Sequence, residues 1–161
     1  MSVSKKTTLF VSRKVWLAGL GVLILIASSW FAYQHKQILS MPHVTIGNTM
    51  VFVEEAKTAE EQAKGLGERD SLPSDKGMIF RFSPSQKPTF WMKGMRFPLD
   101  FLWVKDGAII DLTEHIAAPL TTPQTALPTY QPSSNVDTVI EVNAGFVEHY
   151  KIKVGDRVSG L

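Results

Sequence analysis

The chain has 161 residues, with 17 lysines and arginines, 15 aspartates and glutamates, and no cysteine. A chain without cysteine cannot form disulfides, attack with a thiolate or hold a metal through cysteine sulfur. Five basic residues precede residue 41, so the remainder holds 17 − 5 = 12 basic and 15 acidic residues, a net charge of −3. An acidic remainder is not typical of nucleic-acid-binding proteins, and we expect no nucleic acid partner.

An uncharged stretch from Val15 to Tyr33 follows a basic segment that contains Lys5, Lys6, Arg13 and Lys14. A helix of that length rises about 28 Å, close to the roughly 30 Å hydrocarbon core of a bilayer. Basic flanks tend to stay in the cytoplasm. We therefore predict a single-pass protein of the inner (cytoplasmic) membrane, with its C-terminal domain on the extracytoplasmic, periplasmic side. Its segments are a cytoplasmic leader (1–14), a transmembrane anchor (15–33) in contact with the lipid bilayer, a stalk (34–43) and a domain (44–158).

The same stretch has features of a cleaved signal peptide. Ala27 and Ser29 are small residues at the expected positions before a cleavage site, with Trp30 close behind. We favour an uncleaved signal-anchor because the apolar character continues through Tyr33, beyond a usual apolar signal region of about 7–15 residues. A buried soluble helix is a third interpretation, but a domain this small rarely surrounds a helix on all sides.

The domain is predicted to contain mostly antiparallel strands and two short helices. Thr58 to Glu61 has the pattern of a capping box, which predicts a helix over 59–64, and a second helix is predicted over 144–150 with Asn143 as a candidate N-cap. Residues 119–134 contain four prolines and predict an extended surface loop. Alternation, apolar runs and turn residues predict strands over 44–46, 50–53, 78–82, 89–92, 99–104, 108–112 and 138–142, and a last one beginning at 157.

The clearest local signal is a hairpin, because the Asp106-Gly107 step that joins two apolar runs favours a tight turn. In the predicted strand over 78–82, Met78, Phe80 and Phe82 are assigned to one face, with Ile79 and Arg81 on the other. The predicted core consists of Val51, Val53, Met78, Phe80, Phe90, Met92, Phe101, Trp103, Ile110, Ile140, Val142 and Phe146.

Asp100 and Glu141 each interrupt an apolar strand. A carboxylate in such surroundings is paired, hydrogen-bonded or located at a cleft. One interpretation is an acid–base pair that works on a ligand, or two groups that bind a cation. The other, which we favour, is that both are structural groups that accept hydrogen bonds from loop amides or meet a nearby Lys or Arg.

Metal binding has weaker support. The four histidines are scattered without the i, i+4 spacing of a helical metal pair, so we predict no zinc site. Trp91 and Met92, with Met78 and Met95 nearby, suggest soft donors for Cu(I) and a ring for a cation–π contact. Methionine and tryptophan in a strand usually belong to the core, and we predict no metal and no cofactor.

Several segments together resemble a known bacterial family, the domain of unknown function 192 family, over about residues 44–158. The segments are Gly77-Met-Ile-Phe80, Phe90-Trp-Met-Lys93, Pro98-Leu-Asp100, Glu141-Val-Asn-Ala-Gly-Phe146 and Ile152-Lys-Val-Gly-Asp156. Two departures are local: the family usually reads Gly-Leu-Met where this chain has Gly65-Leu66-Gly67, and Asn-Thr where it has Gly94-Met95.

The resemblance implies a small α+β domain with a barrel-like, strongly bent sheet, often exported or membrane-attached, and it supplies no catalytic residues. We predict a non-catalytic module that binds an unknown small ligand or protein partner. The candidate ligand-binding residues are Trp91, Met92, Lys93, Asp100 and Glu141. The alternatives are a small extracytoplasmic enzyme that uses Asp100 and Glu141 as an acid–base pair and, with less support, a Met/Trp copper-binding protein.

Overall fold

The computed structural model describes residues 23–32, 41–119, 123 and 126–161. The predicted leader, most of the stalk and part of the predicted anchor lie outside the described residues. Residues 23–32 form a helix, α1. Within the described part of the chain, no helix is both long and apolar enough to cross a membrane. The chain divides into two compact units, 1–41 and 42–161, and only the second is described further below.

The described residues of 42–161 form nine strands and two short helices. In chain order these elements are β1 (His43–Ile46), β2 (Thr49–Glu55), α2 (Ala59–Lys64), β3 (Lys76–Gln86), β4 (Phe90–Trp91), β5 (Leu99–Lys105), β6 (Ala108–Ile116), β7 (Thr129–Tyr130), β8 (Val136–Asn143), α3 (Phe146–Tyr150) and β9 (Val158–Ser159). The predicted loop over 119–134 therefore contains a short strand, β7.

Seven strands form one curled sheet in the order β6-β5-β8-β3-β2-β1-β9, and β4 pairs with β7 separately. Neighbouring strands are antiparallel except β2 and β3, which are parallel. A parallel pair needs a crossover of a dozen or more residues, and residues 56–75, which include α2, supply it. The predicted α+β class is confirmed, and the sheet is mostly antiparallel, as predicted, with one parallel pair of strands.

The curl brings the two edges of the sheet together. Strand β9 pairs with β1 at one edge, and the residues just before β9 hydrogen-bond to β6 at the other. Ile109 donates its N–H to the Asp156 carbonyl at 2.9 Å and accepts from the Gly155 N–H at 2.8 Å. These bonds satisfy backbone groups that an open edge would leave unpaired, and they give the sheet its barrel-like shape.

The sheet has apolar clusters on both faces. The inner cluster consists of Val44, Ile46, Val51, Val53, Ile79, Leu102, Val104, Ile109, Ile140, Val142, Phe146, Val147, Ile152 and Val158. The outer cluster consists of Ala56, Leu66, Leu72, Met78, Phe80, Phe90, Met92, Met95, Leu99, Phe101, Trp103, Ile116, Val136 and Val139. The central strands therefore read as continuous apolar runs, since both of their faces are buried.

The list of predicted core residues needs two corrections. Ile79 lies on the face of β3 opposite Met78 and Phe80, as predicted, but it also belongs to the core, because both faces of β3 are covered. Ile110 is only partly buried, and Ile109 takes its place in the core, because a register shift separates the pairs Trp103↔Asp111 and Val104↔Ile109. The other predicted core residues are buried.

The predicted helix caps had different outcomes. Thr58 forms the predicted capping box with Glu61, so this prediction is confirmed. The predicted N-cap at Asn143 is wrong, because Asn143 still belongs to β8 and Gly145 precedes α3. The Asn143 side-chain amide instead donates to the Leu72 carbonyl at 2.9 Å, which joins the loop before β3 to the end of β8.

Phe101 tests the assignment of the outer cluster. Its ring is fully buried and lies 5.5 Å from Phe90 and 5.8 Å from Trp103, measured between ring centroids. Phe101→Ala should lower the free energy of unfolding by about 3–5 kcal/mol because it leaves a cavity. Urea unfolding measures this change, and the exposed Met50→Ala is the control, with an expected change within about 0.5 kcal/mol. A loss below about 1 kcal/mol for Phe101→Ala would contradict the packing.

Candidate functional site

A cavity of about 210 Å³ opens on the outer face of the sheet, between α2 and the segment that contains β4. Its base is formed by β3 and β8, and its rim by the end of α2 and by residues 88–95. The lining residues are Gln62, Ala63, Lys64, Gly65, Leu66, Phe80, Phe82, Pro88, Thr89, Phe90, Trp91, Lys93, Met95 and Glu141. The lining is therefore mostly apolar and aromatic, with one carboxyl group.

Gly65 shapes one wall of the cavity. It ends helix α2 with a φ of +52°, in the region that glycine adopts at little cost. A Cβ atom at this position would lie 3.4 Å from Glu141 Oε2 and 3.6 Å from the Phe80 ring. Glycine therefore both ends the helix and keeps the space beside the carboxyl group open.

Glu141 is the buried polar group of the cavity, and only 4% of its surface is exposed. Its Oε2 atom has no hydrogen-bond partner among the described residues. Burial raises the pKa of Glu141 to about 8, against the smaller opposing effects of a hydrogen bond from the Leu66 N–H and the charge of Arg69. The carboxyl group is consequently mostly protonated at neutral pH.

Asp100 has the opposite environment. It is also fully buried, but its Oδ1 accepts the His115 N–H at 2.8 Å and its Oδ2 accepts the Val147 N–H at 3.1 Å. Both oxygens are thus used to hold the end of β6 and the start of α3. These bonds fit the structural interpretation of Asp100, although the backbone amides that it accepts from lie in a strand and a helix and not in loops.

The two carboxyl groups lie on opposite faces of the sheet. In the pairing of β5 with β8, Asp100 faces Val142, and Phe101 faces Glu141. Directly opposed residues share a face, and successive residues of a strand point to opposite faces. Asp100 therefore points to the side of the inner cluster and Glu141 to that of the outer cluster. The sheet therefore separates the two carboxyl groups that the alternative acid–base hypothesis would bring together.

The other three candidate residues come from one segment and have different surroundings. Trp91 is 46% exposed and lines the cavity, and the Lys93 ammonium nitrogen lies 5.5 Å from its ring centroid, within cation–π range. Met92 is buried in the outer cluster and contributes packing. The structure thus brings Trp91, Lys93 and Glu141 to one cavity and leaves Met92 and Asp100 outside its lining. The assignment of all five candidates as ligand-binding residues stays a prediction.

The methionines of the copper hypothesis do not share a cavity. Met95 lines the cavity described above, Met78 lines a neighbouring groove, and Met92 belongs to the packed cluster. Within the ranges that the structure describes, no three His, Asp or Glu side chains are grouped so as to hold a metal ion.

The sequence predicted Phe80 and Phe90 only as core residues, and not as walls of a cavity. Phe80 and Phe90 meet edge to face at 4.9 Å between centroids, and Phe82 approaches Phe90 at 6.5 Å. Their spacing in the sequence is that of ordinary buried strands, so it does not distinguish a cavity wall from a filled core. That the end of α2 lines the cavity was also not predicted, because its position depends on how residues 56–75 pack over the sheet.

The two departures from the family pattern lie together at the rim of the cavity. A Cβ atom on Gly67 would come within 2.9 Å of the Lys93 carbonyl, and Glu68 donates its N–H to the Gly94 carbonyl at 2.8 Å. The small residues Gly67 and Gly94 therefore allow the backbone after α2 to contact the backbone after β4.

Comparison with known proteins agrees with this fold. Residues 42–160 match the profile of a family described as DUF192, Uncharacterized ACR. The chain belongs to the DUF192 family. The resemblance noted from the sequence motifs is thereby confirmed, while the family description names no activity.

Two solved structures are similar to this chain. A protein of unknown function from Novosphingobium aromaticivorans DSM 12444 is 30% identical, with a TM-score of 0.65 and coverage of 73% of this chain and 83% of the other. A protein from Sinorhizobium meliloti 1021, described as a "putative transcription regulator", is 29% identical, with a TM-score of 0.64 and coverage of 74% and 94%. Among curated proteins, none matches the chain.

The buried carboxyl group predicts a pH dependence of stability. Because the pKa of Glu141 is raised to about 8 from 4.5, the folded chain holds its proton more tightly than the unfolded chain does. The resulting stabilisation is fully present below about pH 4.5 and is lost as the pH rises through 8. Glu141→Gln should remove this dependence, so the variant should gain stability relative to the parent chain by a few kcal/mol between pH 5 and pH 9.

Urea unfolding of both chains at pH 5, 7 and 9 measures this difference. Glu60→Gln, an exposed substitution on α2, is the matched control and should parallel the parent chain. Parallel curves for the parent chain and Glu141→Gln would show that the carboxyl group is solvated and not buried.

Proposed function

We propose that this DUF192 domain is a non-catalytic binding module whose ligand site is the cavity over Glu141. The supporting observation is that Glu141 lines an aromatic cavity and that its buried Oε2 atom has no hydrogen-bond partner among the described residues. A buried polar atom without a partner costs about 1–3 kcal/mol, and a ligand that supplies the missing hydrogen bond recovers this cost. Binding sites commonly have this form, with apolar walls and a few polar groups that fix orientation.

The composition of the cavity favours binding over catalysis. Its lining contains one carboxyl group but no histidine and no second acid among the residues described. The two lysines of the lining are exposed, and Lys64 is paired with Glu68 at 2.7 Å. The acid–base pair considered from the sequence requires both carboxyl groups near the reacting atoms, and Asp100 cannot serve because it lies on the opposite face of the sheet.

The size of the cavity limits the ligand. A volume of about 210 Å³ is below the roughly 300–1,000 Å³ of typical drug-sized sites. The cavity therefore fits a small molecule, or one side group of a larger molecule that continues over the exposed face of Trp91.

Nucleic acid is not the proposed partner, although one similar structure is described as a transcription regulator. The helices of the domain have six and five residues, which is short for a recognition helix in a major groove. The net charge of −3 after residue 40 also opposes binding to phosphates.

Thermal unfolding of the purified full chain with a library of small organic fragments tests the binding site. A ligand at 100 times its dissociation constant should add about 2.7 kcal/mol of stability. Ala63→Trp, which places a large side chain in the lining, should abolish the shift, and Ala59→Trp, outside the lining on the same helix, should retain it. Equal shifts in both variants would place the site elsewhere.

The location of the domain is a separate part of the proposal. The basic leader and the uncharged stretch over 15–33 favour one membrane span, with residues 41–161 on the periplasmic side of the inner membrane. Protease added to spheroplasts should then digest the domain and spare a tag at residue 1. A mature chain that begins near Trp30 would contradict the anchor, and an unprocessed cytoplasmic chain would contradict the proposed location altogether.

A further inference from the structure

The surroundings of Glu141 narrow the class of ligand. Each cation near the cavity already has another partner: Arg69 forms a two-pronged hydrogen bond with Glu54, Lys64 pairs with Glu68, and Lys93 lies over Trp91. None of them forms an ion pair with Glu141 within the described residues. The described part of the chain therefore supplies no cation as an ion-pair partner for the Glu141 carboxyl group.

Among the described residues, those directly opposite Glu141 on the two flanking strands carry no charge. The cross-strand neighbours of Glu141 are Met78 on β3 and Phe101 on β5, both uncharged. From the covering side, Arg69 acts only through its charge, and the Leu66 N–H donates a hydrogen bond. The Oε2 atom has no hydrogen-bond partner among the described residues, and Glu141 lines the cavity.

Four aromatic residues line the cavity together with Glu141. Phe80, Phe82 and Phe90 are arranged edge to face, with Trp91 at the mouth. The π face of such rings attracts organic cations, and the attraction is stronger when the cation is removed from water. Aromatic rings together with one carboxylate are a combination that suits an ammonium group more than a neutral hydroxyl or amide.

We propose that the cavity binds the primary ammonium group of an organic amine, which donates a hydrogen bond to Glu141 Oε2 while its alkyl part contacts the phenylalanine rings. This inference rests on the proposed binding function and names its ligand class. On binding, the carboxyl group gives its proton to solvent and the ammonium group keeps its own, so that one proton is released and an ion pair forms. Lys64 and Lys93 at the rim suit an acidic group on the far end of the same ligand.

The proton release predicts that the affinity rises with pH, a direction that neutral ligands do not share. An alkylammonium group stays charged throughout pH 6–8, as the lysine side chain does. Its affinity should rise with pH as more of the carboxyl group ionises, by about 50-fold between pH 6 and pH 8 for a pKa of about 8. A ligand that accepts a hydrogen bond from the protonated carboxyl group should show the opposite trend.

Calorimetric titration of the full chain with n-butylammonium chloride at pH 6, 7 and 8 tests the proposal, with n-butanol as the uncharged probe. We expect binding of the amine that tightens with pH, release of close to one proton at pH 6–7 in buffers of different ionisation enthalpy, and much weaker binding of butanol. Glu141→Gln should lose both the binding and the proton release, whereas Glu60→Gln should retain them.

Several results would overturn the proposal. They are absence of amine binding, equal binding of butanol, affinity independent of pH, or unchanged binding to Glu141→Gln. If neutral or anionic fragments shift the thermal unfolding and Ala63→Trp abolishes that shift while the amine fails to bind, the binding function stands and the ammonium class is wrong. Failure of every fragment and of the amine would contradict both.

Discussion

Strand β8 is buried on both faces, and this constraint determines the position of the one carboxyl group in its middle. The strand lies between β5 and β3, and its residues Val139 to Val142 alternate between the outer and inner clusters. A charged side chain in such a strand has no route to solvent through either neighbour. Glu141 remains compatible with the fold because a cavity opens above it and because protonation removes its charge.

The other buried carboxyl group shows a different solution to the same problem. Asp100 has a shorter side chain and accepts two backbone N–H groups, from the end of β6 and the start of α3. The bond from Val147 also satisfies a backbone N–H that would otherwise be buried without a partner. The two acids thus differ in role: Asp100 stabilises a junction of secondary-structure elements, whereas Glu141 leaves one oxygen for a ligand.

Much of the fold could be predicted from the sequence because its signals are local. The Thr58 capping box, the Asp106-Gly107 turn and the apolar runs on either side of it correctly indicate α2 and the hairpin of β5 and β6. The parallel pairing of β2 with β3 could not be predicted in this way, because it depends on a crossover whose path no short pattern specifies. The shift that buries Ile109 in place of Ile110 likewise arises from the pairing of two strands.

The candidate site was predictable in part. Glu141 was selected because it interrupts an apolar strand, and Trp91 and Lys93 as an aromatic ring and a charge in one segment; the structure places all three around one cavity. Asp100 was selected for the same reason as Glu141, and only the register of β5 against β8 shows that it faces the other way. Gly65 and the three phenylalanines carry no distinguishing pattern, since a helix-ending glycine and a strand phenylalanine occur in any domain.

The central claim is that Glu141 is protonated at neutral pH and that an ammonium ligand ionises it. The most direct measurement is the carboxyl carbon chemical shift of Glu141, followed by NMR as a function of pH in the full chain labelled at glutamate, with Glu141→Gln for assignment. The account predicts a titration midpoint of about 8 without ligand and a clearly lower midpoint in saturating n-butylammonium chloride. A midpoint near 4.5 without ligand, or one that the amine leaves unchanged, would contradict it.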